Sequence, residues 1–402
     1  VNPSVAGIGV ATGFGYGKEA LLAGLYALSA PRPLFAVLAR PGRQLPPGEG
    51  GEPAPAPFVG AEMPEPPALL PARVARVTGL AGRVAVAVLD EAWREAGLDA
   101  LQPERIGLVI GGSNLQSREL LLLHQAYAQR LARLPPTHGY AGFDTDLCGL
   151  CTSQFQIRGF ANTVGGASAS GSLAVLQAAQ AVRSGRVDAC IALGALQDLS
   201  SFELQAMKAL GALSPGMACR PFDRAHDGFM YGESCAALVL VRPGLGLACY
   251  GSIAGGAHIA NGNRGPEPSP GGELRAIAAA LADAGLTAQG IDYVNTHGTG
   301  TPLGDDTEAT ALSAAGLGHA HLNATKSLIG HGLGAAGAVE MAAVFLQMQQ
   351  GRLHPTLQLE DPVQPELNWV RAGQPRVHRI RHALKLSFGF GGIDTAIVAS
   401  AP

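Results

Sequence analysis

TVGGASASGSLAV, residues 163–175, is the stretch on which the fold turns. Two β-branched residues run into a glycine pair, small residues follow, and an apolar helix start completes it. A strand that breaks at glycine and hands over to a helix is the building unit of layered α/β proteins. Ser168 stands at the handover, a place where enzymes often hold a nucleophile. Working outward, the same succession recurs. VAGIGVATGFGYG (5–17) is an apolar strand breaking into glycines, and the helical KEALLAGLYALSA (18–30) follows. Residues 41–72 are rich in Pro, Gly and Glu and predict a surface loop. ARVARVTGLAGRVAVAVLDEAWREAGL (72–98) has helical periodicity, with Gly97 as its stop. IGLVIGGS (106–113) is a buried strand, a helix covers roughly 168–184, and VDACIALGA (187–195) and SCAALVLVRP (234–243) are strands.

After Pro243 the cycle restarts. CYGSIAGGAHIA (249–260) is strand-like, ELRAIAAALADAGL (273–286) is a helix, and IDYVNTHGTGTP (291–302) is a strand running into a loop. Residues 321–351 predict a short strand, a loop and a long small-residue helix, and HALKLSFGFGG (382–392) and IDTAIVAS (393–400) close the chain. Two halves, 1–243 and 244–402, of comparable content predict a duplicated α/β fold with helices between and outside two sheets.

Composition narrows the function classes. The 402 residues are 47% hydrophobic and 15% charged, which describes a compact globule with a sizeable core. Fifty-five glycines against 5% aromatics fit close backbone packing. A formal charge of −3 offers no footprint for nucleic acid. No apolar run reaches the ~18 residues of a membrane span, and VNPSVAGIGVATG lacks the basic and apolar regions of a signal peptide. A cytoplasmic protein is expected. Among the six cysteines only Cys148 and Cys151 form a C-x-x-C pair, without the second pair or spaced His that zinc requires. Buried small side chains suit them better than a metal or redox role.

Several motifs fall short of a function. Gly7-Ile-Gly9-Val-Ala-Thr-Gly13 is one residue too long for a dinucleotide loop and lacks a ribose-binding acid, so it predicts a tight strand-to-helix turn. SFGFGG (387–392) is followed by a strand, so no helix N-terminus is available for an anion. It predicts a strained turn that brings Phe390 and backbone N–H groups close to something, with Phe388 in the core. Gly166-Ala-Ser168-Ala-Ser170 misses the G-x-S-x-G elbow, and no acid partner marks a serine hydrolase. Two histidines carry more. His297 and His331 each lie in a Gly-rich loop, His297 at a strand end and His331 just before a helix, and ligands bind at that edge of α/β sheets. A neutral imidazole N–H there can donate to an oxygen gaining charge. Lys326 can tune those imidazoles or orient a carboxylate; a salt bridge to Glu308 or Glu340 is its plainer role.

RPFDRAHDGFMYGES (220–234), VNTHGTGTPLGDDTEA (294–309), ATKSLIGHGLGAAGAVE (324–340) and SFGFGGID (387–394) together resemble the β-ketoacyl-ACP synthases, or ketosynthases, of the thiolase fold. The resemblance implies duplicated halves in a five-layer αβαβα arrangement, a homodimer, and a Cys-His-His triad at the N-terminus of a buried helix. On this chain Ser168 occupies the cysteine's place, His297 and His331 match the two histidines, and Lys326 matches the lysine. Thr299 and Thr301 match threonines that contact pantetheine, and the backbone N–H groups of Ser168 and Phe390 match an oxyanion hole. No cofactor or metal of its own is implied, since the substrate rides on the phosphopantetheine arm of an acyl carrier protein. Arg73 and Arg76, one helical turn apart, either meet acidic carrier residues or form a solvated face.

A ketosynthase loads an acyl group on its cysteine and decarboxylates malonyl-ACP to an enolate. Loading needs a thiolate, and a serine hydroxyl is far less acidic. Decarboxylation needs hydrogen-bond donors, each worth roughly 3 kcal/mol, and no nucleophile. DTDLCGLCTSQF (144–155) with VGGASASG resembles the free-standing decarboxylating ketosynthases of polyketide β-branching cassettes, which deliver acetyl-ACP to a hydroxymethylglutaryl-CoA-synthase-like partner. Malonyl-ACP decarboxylase is the activity expected. A condensing or acyl-transferring synthase using Ser168 and a non-catalytic partner subunit are the alternatives.

Overall fold

Cys235–Val241 reads CAALVLV and has no polar position, so both of its faces must be covered. The structure, a computed structural model describing residues 2–27, 35–46, 55–371, 373 and 375–402, shows how. Cys235, Ala237, Val239 and Val241 face one apolar cluster, while Ala236, Leu238 and Leu240 face another. Residues 28–30 of the first expected helix and 47–54 of the Pro-rich loop lie outside the described residues.

The first half supplies β1 (Ser4–Thr12), β2 (Ile106–Gly111), β3 (Phe160–Val164), β4 (Ala189–Gly194) and β5 (Cys235–Val241). The second supplies β6 (Gly251–Ala260), β7 (Tyr293–Asn295), β8 (His321–Asn323), β9 (His382–Gly389) and β10 (Ile393–Ser400). Their order across the sheet is β8-β7-β9-β10-β6-β1-β5-β4-β2-β3, with Gly15–Tyr16 paired onto β1. Each half thus runs first-fifth-fourth-second-third. In both, the first two pairings are antiparallel and the last two parallel. The halves meet edge to edge at β1 and β6 through Ser4–Ser252 and Val5–Gly251, which makes one hydrogen-bonded path out of two sheets.

Nine helices are needed to describe the layers: α1 (Lys18–Tyr26), α2 (Leu80–Ala96), α3 (Ser117–Tyr127), α4 (Thr145–Gln154), α5 (Ser170–Arg183), α6 (Ser201–Ala209), α7 (Pro270–Ala284), α8 (Pro302–Ala314) and α9 (Ala336–Gln350). Side chains of α2 and α4 form one outer core with the first sheet, and α7 and α8 form the other with the second. Between the sheets lie α5 and α9, packed on each other and on both inner faces. The result is five layers, αβαβα. Residues 336–348 of α9 are buried all round, as a helix sandwiched in a core must be.

Where the two central helices cross, glycine is required. A Cβ on Gly171 would fall 2.6 Å from the Ala338 backbone N, and one on Gly337 would fall 2.5 Å from the Ser172 backbone N. We expect Gly337→Val to cost at least the ~1–3 kcal/mol of an overpacked core. A urea titration that returned the wild-type midpoint would refute this crossing.

Two local expectations change. Residues 72–98 are not one helix: Ala72–Ala75 forms a single turn, the chain breaks at Val77-Thr78-Gly79, and α2 then runs to Gly97, whose φ of 61° caps it. Of the glycines of residues 7–13, Gly13 does lie in a turn, directly after β1, but Gly7 and Gly9 do not. Gly7 and Gly9 lie inside β1 because α2 passes so close that a Cβ on Gly7 would sit 3.0 Å from the Ala96 Cβ.

Candidate active site

The central helices enter the site in the same way. A 3₁₀ turn, Ala167–Ala169, leads into α5, and another, Leu333–Ala335, leads into α9. Both begin on a non-glycine residue in the left-handed region, Ala167 at φ 46° and Leu333 at φ 51°. Such backbone costs about 1–3 kcal/mol and persists only where surrounding packing enforces it. It brings the position of Ser168 up against the loop before α9. The Ser168 Oγ lies 2.9 Å from the His331 Nε2.

The tautomer of His331 follows from its other nitrogen. The Leu333 backbone N–H donates to the His331 Nδ1 at 3.2 Å, so the proton resides on Nε2, which donates to Ser168. His297 lies two residues beyond the end of β7 rather than at it. The Lys326 Nζ donates to its Nδ1 at 3.5 Å, to its carbonyl at 2.6 Å, and to Glu340 Oε1 at 2.5 Å. Those three bonds use all three ammonium hydrogens. His297 therefore also presents Nε2–H, and the two rings lie 5.7 Å apart, nearly perpendicular. Burial and the charge of Lys326 hold both imidazoles well below the ordinary His pKa, with Lys385 adding to the effect. Both are neutral donors at physiological pH.

Backbone clamps fix the His297 loop. Glu308 accepts from the N–H groups of His297 at 2.6 Å and Gly298 at 2.8 Å. Asp305 accepts from Thr299 and Gly300 at 3.1 Å and from Phe222 at 2.6 Å. Of the two partners considered for Lys326, Glu340 takes the ion pair, while Glu308 is spent on backbone. Glu340 also lies 2.8 Å from Lys385.

Ser168, His297 and His331 open into a cavity of about 520 Å³ that also reaches Thr299, Thr301 and Phe390. The two threonine hydroxyls are 2.8 Å apart. Its mouth carries exposed Leu210, Leu303 and Phe390. Phe388, expected in the core, packs partly buried against the outer core of the second sheet and also lines the cavity, its ring 5.6 Å from that of His297. The Phe390 loop is pressed close: a Cβ on Gly389 would fall 3.3 Å from the Ala169 N. Arg73 and Arg76 lie exposed on the surface and are not part of the cavity wall. Cys148 and Cys151 share α4, with Cys151 fully buried. No group of three metal-ligating side chains forms, and no helix is long and apolar enough to cross a membrane, among the described residues.

Reading the sequence did not single out Phe388 in the cavity, nor Lys385, Glu273 and Asp394. Lys385 is the sole charge in the apolar strand HALKLSFG, which was an available signal.

An α/β duplication holding two imidazoles over a helix N-terminus places the chain in a defined class. It belongs to the beta-ketoacyl synthase family, matching the N-terminal domain over residues 67–243 and the C-terminal domain over 250–360. It is 46% identical over 410 residues to the polyketide biosynthesis malonyl-ACP decarboxylase PksF of Bacillus subtilis (strain 168), covering 98% of this chain and 95% of that one. A 3-oxoacyl-(acyl-carrier-protein) synthase 2 of Mycobacterium leprae (strain TN) is 30% identical, covering 80% of each. The fold superposes on the crystal structure of a beta-ketoacyl synthase from Burkholderia phymatum STM815 with TM-score 0.86 and 26% identity, covering 100% of this chain and 99% of that one.

Proposed function

We propose that the protein decarboxylates malonyl groups carried on an acyl carrier protein, releasing acetyl-ACP. The observation that carries this reading is the direction of the bond between His331 and Ser168. Because Nε2 holds the proton, the imidazole offers Ser168 a hydrogen and no base, so the hydroxyl is not activated to attack. The same Nε2–H, with that of His297, is ready to stabilise the thioester oxygen as it becomes an enolate. The similarity to PksF supports the same activity.

In this reading the malonyl thioester enters on its phosphopantetheine arm past Leu303 and Phe390. Thr299 and Thr301 hold the arm, and the backbone N–H groups of Ser168 and Phe390 form the second oxyanion site. Lys326 positions His297 and takes no proton. The carboxylate leaves as CO2 when its C–C electron pair moves into the enolate, which the two imidazoles stabilise. The reaction calls for no cofactor or metal of the protein's own. Arg73 and Arg76 meet the acidic carrier, each chain consists of two thiolase-type halves (1–243 and 244–402) and works as a homodimer with a second copy, and its acetyl-ACP supplies a hydroxymethylglutaryl-CoA-synthase-like enzyme in β-branching.

Intact-mass measurement of the carrier after incubation with malonyl-ACP tests the proposal. Acetyl-ACP is expected, and malonyl-ACP that persists unchanged overturns it. A stable acyl ester on Ser168 would instead favour the acyl-transferring alternative. Ser168→Ala is expected to slow the reaction less than tenfold. Ser168→Cys is expected to gain a thiol that iodoacetamide labels and an acyl carrier loads, because a helix N-terminus favours a thiolate.

A further inference from the structure

Decarboxylation leaves an electron pair on the acetyl carbon, and the product needs a proton there. None of the groups assigned above supplies it readily. His297 and His331 present their N–H groups to oxygen, and Lys326 has every hydrogen engaged. The cavity contains one further group that does not serve the hydrogen-bond framework. Glu273, in the first turn of α7, lines the cavity and is 1% exposed, yet its Oε2 has no hydrogen-bond partner among the described residues. It does not cap its helix, because the Ser269 Oγ accepts the Gly272 N–H at 3.1 Å.

The surroundings of Glu273 are acidic. Burial, and after it the like charges of Glu308 and Asp305 of α8 and Asp394 of β10, push its carboxyl up to about 10. Asp305 and Glu308 are tied to backbone N–H groups, and Asp394 accepts from the Asn261 Nδ2 at 3.0 Å. The charges of Arg275 and His258 act on Asp394 against its burial. Glu273 therefore stores a proton inside a substrate cavity at neutral pH, where a carboxyl normally has none.

We propose that Glu273 is the acid that protonates the carbanion, a step that rests on the decarboxylase reading above. The C–C bond to the carboxylate breaks, CO2 departs, and the electron pair enters the enolate. The enolate then reforms its carbonyl while its carbon takes the hydrogen of the Glu273 carboxyl, so one C–H bond forms and one O–H bond breaks. Solvent restores the proton, and each turnover consumes one proton overall. Glu273 thereby commits the enolate to acetyl-ACP.

The test compares wild type with Glu273→Gln and Glu273→Asp on malonyl-ACP in H2O and in an equal mixture of H2O and D2O. Carrier mass reports both the rate and the deuterium content of the acetyl group. Loss of a positioned acid should slow Glu273→Gln by about 10²-fold. It should also change the deuterium fraction, because water replaces the carboxyl as donor, and Glu273→Asp should recover part of the rate. Folding is followed separately by melting temperature. Native Glu273 keeps a proton that the unfolded chain has lost, so between the ordinary carboxylate range and about pH 10 wild-type stability falls as pH rises. Glu273→Gln removes that slope. If wild type makes acetyl-ACP and Glu273→Gln matches it within twofold in rate and in deuterium content, the inference is overturned while the decarboxylase reading stands. If wild type makes none, both fall.

Discussion

His331→Ala lowers acetyl-ACP formation by about 10³-fold, the upper end of what one lost oxyanion donor costs. The effect is large because the alanine removes more than a ring. The Nε2–H that faces Ser168 disappears, and the Leu333 N–H in the turn before α9 loses its acceptor. His297→Ala removes the companion donor and should fall in the same range. The measurement is single-turnover carrier mass, and a His331→Ala enzyme within tenfold of wild type would contradict the assigned role. The reaction also has a predictable acid limit. Both imidazoles must be unprotonated at Nδ1 to accept from the Leu333 N–H and the Lys326 ammonium, and burial beside Lys326 holds their basicity down. Activity should therefore persist below the ordinary His range of about 6.5 before it declines.

The second large effect concerns stability. Glu340 sits on the all-buried α9 between two lysines that are themselves fully buried, Lys326 and Lys385. Glu340→Gln strands both ammonium groups, and breaking a buried pair in this way costs about 3–5 kcal/mol. The sign of the pH dependence is specific. Burial already pulls Lys385 down to about 8, with Glu340 opposing the shift. Without Glu340 it drops further, so the native state binds fewer protons than the unfolded chain below the ordinary Lys range. Stability of the variant must then rise with pH. Urea midpoints at pH 6.5 and pH 9 should show the deficit shrinking, and an equal deficit at both would count against the pairing.

The chain announces some of this in its order of residues and conceals the rest. Ser168, His297 and His331 are visible because each stands beside glycines where an apolar run stops. The duplicated layering is visible because Val- and Leu-rich strands alternate with small-residue helices. The Lys326–Glu340–Lys385 layer is half visible: Glu340 is one of the two acids expected beside Lys326, and what stays hidden is that Lys385 joins them from a distant strand. Glu273 is hidden, since an acid in a first helical turn ordinarily complements the helix dipole. Only the packing of α7 on α8 encloses it among other acids. Gly7 and Gly9 misled because a glycine that admits a neighbouring helix and one that makes a turn look alike in sequence.

The crossing of α5 and α9 at Gly171 and Gly337 has a consequence for anyone building chimeras. Ser168 belongs to one repeat and the two histidines to the other, and the helices that follow Ser168 and His331 approach each other backbone to backbone. Exchanging one repeat for that of a homologue therefore transplants half a cavity onto a foreign seam. The reacting groups keep their register only if the donor repeat also brings a helix thin enough to lie against its new companion.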